Sequence, residues 1–379
     1  MSPLSPSWPL RPLRSRWVEA LAIAGSLALA ACSSGDGGTA ASTPTQDGPA
    51  GPLLSFDPSG TATSATSTTI VDLGAATGGF SFAFISDTPT GSRSIAWFPL
   101  LVDQVNADPD VAFVAHAGDV RGGDTDCSDA SLRATAALMQ TFDDPFWYVP
   151  GDNEWADCHR NGGYLPTERL EVVRSLFFAD PSRTTGGSSM PVESQALIGT
   201  AGTRAYVEHT RFARECVMFG ALHVIGSGDD DEAWGSFAGD PAAGLAPGDQ
   251  PDLRLAERTD RRSAALAWLD DLFAAATRQR ASGVVVMMHA EPADTEAYAS
   301  MRAALEQRAG AFEGEVLLLH GDSHTYQFTP GFAGVANLTR LEAPGDEAAL
   351  NRWLEVAVTC DGSRPSVFSH ELRFFDVPG

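Results

Sequence analysis

Apolar and polar positions along this chain switch between a strand-like and a helix-like period. Residues 80–85 form an apolar run of strand length, and residues 94–105 carry apolar side chains at helical spacing. The same pair of patterns returns as a strand at 111–115, a helix at 130–142 and a strand at 146–149. A further helix over 166–178 opens with Pro, Thr and Glu, as helix starts do. This β-α-β-α-β order predicts a mainly parallel sheet with covering helices. The second half reads differently. It predicts strands at 204–208 and 216–225, a Gly/Asp/Pro-rich loop to 255, and a helix at 262–279 with Leu266, Leu269 and Phe273 on one face. A strand at 284–288, a helix at 296–308, a strand at 316–319 and several short strands ending in 366–375 follow. Such an order fits an α/β fold of two stacked mixed sheets with helices outside, a four-layer α/β/β/α sandwich.

The N-terminal region stands apart from this pattern. Arg11, Arg14 and Arg16 precede a short apolar stretch, residues 20–31, that ends in small residues. The stretch falls short of the roughly 20 apolar residues needed to span a bilayer. Its end, Leu29-Ala30-Ala31-Cys32, resembles a bacterial lipobox, which implies cleavage before Cys32 and acylation of its thiol. Residues 1–32 are therefore expected to be a signal peptide. The mature chain is expected to be exported and lipid-anchored in the bacterial envelope, on the periplasm-facing outer membrane or the cell surface. Residues 33–75 are rich in Gly, Ser, Thr, Ala, Pro and Asp, a composition that buries too little surface to offset ordering entropy. They read as a tether, leaving 76–379 as the folded domain.

Composition narrows the partners. All 25 basic residues are arginine, and the net charge of −24 leaves no broad basic footprint for nucleic acid. Membrane contact is expected through the lipid alone. Beyond Cys32, the cysteines Cys127, Cys158, Cys216 and Cys360 suggest two disulfides in an exported chain, with three possible connectivities.

Five predicted strands end in residues that favour metals or phosphates. One leads to Asp87, and another to Gly118-Asp119. A third leads to Gly151-Asp152-Asn153-Glu154, a fourth to His289, and a fifth to His320-Gly321-Asp322-Ser323-His324. In open α/β sheets ligands bind beyond the carboxyl ends of strands, and carboxylates with imidazoles there suit divalent cations. The order Asp, Gly-Asp, Gly-Asp-Asn-Glu, His, Gly-x-x-His resembles the calcineurin-like metallophosphoesterase signature. The resemblance implies two metal ions and hydrolysis of a phosphate ester. It makes Asp119 the bridging carboxylate, Asp87 and His324 ligands of the first metal, and Asn153 and His289 ligands of the second. Asp322 stands where the family has another imidazole.

The chain also departs from that signature. Pro89 replaces the histidine of Asp-x-His, and with the third motif slid one place, Glu154 falls where the family's leaving-group histidine stands. A carboxylate at Asp322 shifts preference toward harder ions such as Mn, Mg or Ca, with Fe and Zn left open. Glu154, His159 and Arg121 are the candidate catalytic residues, Arg121 for bidentate contact with a substrate phosphate. Bland readings stand beside these: helix cap or turn for Asp87 and Asp119, satisfied core histidines for His116 and His289, and a solvated charge run for 229–232. Cys127 and Cys158 each follow a motif loop, so neighbouring strand ends would pair them and leave Cys216 with Cys360. The expected function is hydrolysis of a small phosphorylated compound, mono- or diester. The alternatives are a degenerate member that binds without turnover and a structural surface lipoprotein.

Overall fold

The computed structural model describes residues 72–292 and 295–377. The expected signal segment, the Cys32 anchor and the tether through residue 71 lie outside the described residues. Leu73, in a single 3-10 turn Leu73–Ala75, is already buried in the core.

The first sheet is built from β1 (Gly79–Ile85), β2 (Val111–His116), β3 (Pro145–Tyr148) and β4 (Thr185–Gly186), with β12 (Arg352–Thr359) and β13 (Phe368–Phe374) returning from the far end of the chain. Its order is β13-β12-β1-β2-β3-β4, with β1, β2 and β3 parallel and the remaining pairs antiparallel. The second sheet uses β5 (Glu193–Ser194), β6 (Thr210–Arg214), β7 (Val217–Ala221), β8 (Gly283–Met287), β9 (Glu315–His320), β10 (Gln327–Pro330) and β11 (Leu338–Glu342). Its order is β10-β11-β9-β8-β7-β6-β5, with β7, β8, β9 and β11 parallel.

Strand alternation assembles the layers. Phe82 and Phe84 of β1, Val285 and Met287 of β8, and Leu317 and Leu319 of β9 point between the sheets. Their neighbours Ala83, Ile85, Val284, Val286, Val316 and Leu318 point outward to helices. Aromatic rings fill the middle: Phe82 stacks on Phe113 at 4.8 Å between centroids, and Phe212 on Phe219 at 4.7 Å. Helices α1 (Ser92–Asn106), α2 (Asp129–Met139) and α3 (Pro166–Phe177) cover the first sheet through Phe98, Leu132 and Val173. Helices α4 (Pro251–Arg278) and α5 (Ala299–Ala311) cover the second through Trp268, Leu272 and Leu305. The result is the expected four-layer sandwich.

Two elements differ from expectation. Residues 204–208 make no strand; the edge is Thr210–Arg214, which pairs antiparallel with β7. The expected strand ended on Glu208, which is instead buried in an ion pair with Arg174. Helix α4 starts eleven residues before the expected 262, at Pro251 in the first-turn position that proline suits. Its early turns leave Leu253 and Leu255 exposed, so no apolar face announces them.

Disulfides join Cys127 to Cys158 and Cys216 to Cys360, with Cα–Cα separations of 5.6 and 5.8 Å. The first links the loops after β2 and β3. The second links the start of β7 to the end of β12, and so one sheet to the other.

Candidate metal centre

The parallel strands of both sheets deliver their following loops to one end of the sandwich. Asp87 comes from β1, Asp119 from β2, Asp152 from β3, His289 from β8 and Asp322 from β9. Asp87, Asp119 and Asp322 hold left-handed backbone, with φ of 51°, 56° and 77°. Such values are uncommon outside glycine, but aspartate tolerates them better than most residues. The loops interlock: the Asp87 N–H donates to Gly118 O at 3.0 Å, and the Gly321 N–H to His289 O at 3.0 Å. Gly151 has to be glycine, because a Cβ there would collide with the Asp119 carboxylate.

Among the described residues two groups of three candidate ligands result, Asp87–Asp119–His289 and Asp152–His289–Asp322, each with its donor atoms within 4.8 Å of one another. His289 is their shared member. Its Nδ1–H donates to Ala117 O at 2.7 Å, which turns Nε2 into the cluster. Nε2 lies 3.1 Å from Asp152 Oδ1, 3.4 Å from Asp119 Oδ1 and 3.7 Å from Asp322 Oδ1. Yet His289 Nε2 and Asp152 Oδ1 are both buried and, beyond their own 3.1 Å contact, neither has a hydrogen-bond partner. Buried polar atoms without partners are costly, and a cation would satisfy both at once. The donor set fits divalent metal.

Crowded carboxylates set the electrostatics. Burial favours neutral His289, but Asp119, Asp152, Asp87 and Asp322 outweigh it and raise its pKa well above the usual range. Burial drives Asp119 well above ordinary carboxylates; Asp152, Glu154 and Asp87 add to this and His289 opposes it. Burial, with Asp152 and Asp87, pushes Asp322 up to about 6 against the pull of His289. Asp87 and Asp152 move the other way. Burial would raise both, but His324 and His289 hold Asp87 down, while His289 and Ser227 hold Asp152 down.

His324 sits at the rim, 43 % exposed at its side chain, with Nε2 3.4 Å from Asp87 Oδ1. The Asp87 hydrogen bond raises its pKa, and burial opposes that. The Asp322 N–H donates to Asp87 Oδ2 at 3.1 Å, and Asp322 Oδ2 accepts from the Glu291 N–H at 3.3 Å. Pro89 leaves the Asp87 side without the imidazole that an Asp-x-His motif would supply.

Four expected site residues have other work. The carboxylate of the third motif that enters the cluster is Asp152, so the motif reads without the one-place slide. Asn153 instead spends its backbone N–H and side-chain amide on the Asp119 carboxylate. Glu154 is fully buried; its Oε1 accepts from Gly151 N at 2.9 Å, Asp119 N at 3.2 Å and the Tyr148 hydroxyl. It braces the loops that carry Asp119 and Gly151. Arg121 is 4 % exposed and donates to the carbonyls of Asn153 and Thr125, which stitches the disulfide-linked loops together instead of offering a phosphate fork. His159 Nδ1 accepts from the Ser236 N–H at 3.4 Å, and among the described residues no hydrogen bond or ion pair joins it to the cluster.

The bland readings divide. His116 is structural as read, with Nε2 on Thr88 O at 2.8 Å. The run Asp229–Glu232 is solvated only in its second half: Asp231 and Glu232 are exposed, while Asp229 and Asp230 are buried, with Asp229 paired to Arg261 and Arg262 and Asp230 accepting from Trp234. Sequence reasoning also missed Gly226 and Ser227, which lie against Asp152 and Asp322. A separate cavity of about 590 Å³ opens near the start of β9, beside Glu315, Phe328 and Phe368, and none of the site residues lines it.

An α/β/β/α sandwich with a carboxylate–imidazole centre at its strand ends is the architecture that the resemblance to calcineurin-like metallophosphoesterases implied. No protein-family model matches the chain, and no curated protein matches it. Among solved structures it is similar to the NAD nucleotidase of Haemophilus influenzae at 11% identity and TM-score 0.39, covering 78% of this chain and 49% of that one. The chain thus spans about half the length of that nucleotidase. It is also similar to GAP50, the anchor in the inner membrane complex of Plasmodium, at 11% identity and TM-score 0.41, covering 79% and 90% of the two chains. The calcineurin-like phosphoesterase YfkN of Bacillus subtilis gives 10% identity and TM-score 0.39, covering 78% and 90%.

Proposed function

We propose that the chain is a metal-dependent phosphoesterase acting on a small phosphate mono- or diester. One observation carries this reading: among the described residues two three-ligand groups, buried except for Asp322, share His289, whose Nε2 stands 3.1 Å from Asp152 Oδ1 while neither atom has any other partner. In that reading Asp87 and Asp119, with His324 at the rim, would hold one ion, and Asp152, His289 and Asp322 a second. Bound ions of this kind clamp a phosphate and lower the pKa of a coordinated water. The chain's part is to hold its ligands rigid. Asn153 orients Asp119, Ala117 O orients His289, and Glu154 fixes the loops carrying Asp119 and Gly151. Carboxylates outnumber imidazoles, so Mn, Mg or Ca suits the site better than Zn or Fe.

A second reading is a protein that binds metal or ligand without turnover. Asn153 favours it, because it stands where the unslid motif of the resemblance has the leaving-group histidine, and an amide cannot donate a proton as an acid. Metal analysis beside a hydrolysis screen of generic mono- and diesters with Mn, Mg, Ca and Zn separates the two. Metal-dependent turnover that Asp119→Asn abolishes supports the enzyme; tight metal binding with no turnover under any ion supports the binder. The proposal sets this activity outside the cytoplasm, on a lipid at Cys32, and two disulfides suit such a compartment. Cys32→Ser is expected to leave an unprocessed or soluble form, and unchanged mass and membrane fractionation would sink the anchor.

A further inference from the structure

The segment Gly226–Asp230 after β7 is a turn wound the wrong way for L-residues. Ser227, Gly228, Asp229 and Asp230 take φ of 51°, 65°, 60° and 64° in succession. Left-handed conformation costs roughly 1–2 kcal/mol per non-glycine residue, so Ser227, Asp229 and Asp230, three of four successive residues, need support. Support is present. Asp229 is clasped by the fully buried Arg261 and by Arg262, and its N–H donates to the Tyr298 hydroxyl at 3.2 Å. Tyr298 in turn donates to Ile225 O at 2.9 Å, and the Trp234 indole donates to Asp230 Oδ1 at 2.9 Å.

This supported turn presents two residues to the second ligand group. Gly226 packs so tightly that a Cβ would collide with Asp322 Oδ1 and stand 2.7 Å from Asp152 Oδ1. The Ser227 hydroxyl lies 2.7 Å from Asp152 Oδ2 and 3.4 Å from Asp157 Oδ1. With Oδ2 anchored by Ser227, the other oxygen of Asp152 is buried 3.1 Å from His289 Nε2 and has no other partner.

We infer that Ser227 is a positioning residue for the metal centre. Held in a left-handed turn by the Asp229–Arg261 pair, its hydroxyl fixes the carboxylate of Asp152 so that Oδ1 is free to ligate. This inference rests on the metal reading above. Outer-shell hydrogen bonds of this kind are worth roughly 10–100-fold in metal affinity.

The test is calorimetric titration of the full mature chain with Mn²⁺ alone, for wild type, Ser227→Ala and Ser227→Gly, with the metal-free unfolding midpoint measured beside it. Ser227→Ala keeps a Cβ in the strained backbone and removes the hydroxyl; Ser227→Gly removes the hydroxyl and relaxes the backbone. If the hydroxyl acts on Asp152, both variants lose about tenfold or more in affinity for one ion, whichever way stability moves. If Ser227 matters only to the turn, Ser227→Gly binds Mn²⁺ as wild type does, and the inference falls. Wild-type affinity in Ser227→Ala also overturns it. A wild-type chain that binds no Mn²⁺ overturns the metal reading itself, which the variants alone do not do.

Discussion

At the scale of single residues, the third motif decides which side chains serve the centre. Asp152 faces His289, whereas Asn153 is spent on Asp119. If the proposed centre holds two ions, Asp152→Ala is expected to remove one, and Asp152→Asn to keep both more weakly, since an amide oxygen still ligates. Ion counting by atomic emission after dialysis checks the order; full occupancy in Asp152→Ala would return the role to Asn153. Asp230 offers a test of burial away from the ligands. Burial raises its pKa to about 7 against the Trp234 hydrogen bond, and its Oδ2 is buried without a partner. The folded pKa lies above the unfolded one. Between about 4 and 7 the unfolded chain releases a proton that the folded chain keeps, so wild-type stability from this group falls as pH rises. The slope is roughly 1.4 kcal/mol per pH unit at most. Asp230→Asn tolerates the left-handed φ and removes the titration. Its urea midpoint should match wild type near pH 4 and exceed it increasingly up to pH 7; a constant difference across that range contradicts a buried neutral carboxyl.

At the scale of elements, the site is a junction of loops, and their fastening matters as much as their ligands. The loops after β2 and β3 are tied by Cys127–Cys158 and by Arg121 bridging the carbonyls of Asn153 and Thr125. Replacing both cysteines by serine is expected to cost about 2–4 kcal/mol in urea unfolding. It should also weaken Mn²⁺ binding, because Asp119 and Asp152 leave from those same loops. Lost stability with unchanged affinity would show that Arg121 and Glu154 alone hold the geometry. Helix α4 makes the converse point. Its buried Arg261 steadies the turn that carries Ser227, while its Trp268 packs on the second sheet. One helix thus serves both core and site.

At the scale of the whole molecule, the candidate ligands come from both sheets: Asp87, Asp119 and Asp152 from the first, His289 and Asp322 from the second. Metal binding is then linked to the stacking of the sheets and to folding. Saturating Mn²⁺ at about 100 times its dissociation constant should stabilise the chain by roughly 2.7 kcal/mol per site. A thermal scan with Mn²⁺ and with chelator measures it, and Asp119→Asn should erase most of the difference. A melting point indifferent to metal in the wild-type chain would mean that the centre holds no ion.

Short continuous apolar runs set between helical apolar spacings were enough to predict the layers, because a strand buried on both faces and a helix buried on one leave different local patterns. They exposed both faces of β1, β8 and β9 and the motif loops that follow them, and Asp87, Asp119, His289 and Asp322 were legible for that reason. The start of α4 was not, since its exposed early turns carry no apolar stripe, and neither was the edge strand Thr210–Arg214, whose place depends on pairing with β7. Tertiary structure alone chose between Asp152 and Asn153, two adjacent side chains that a loop points in different directions. It also turned Glu154 and Arg121 inward, paired Asp229 with Arg261, and brought Ser227 to Asp152 across 75 residues of sequence. Such contacts join residues far apart in the chain, and the backbone that makes them is left-handed at the turn where sequence patterns assume ordinary geometry.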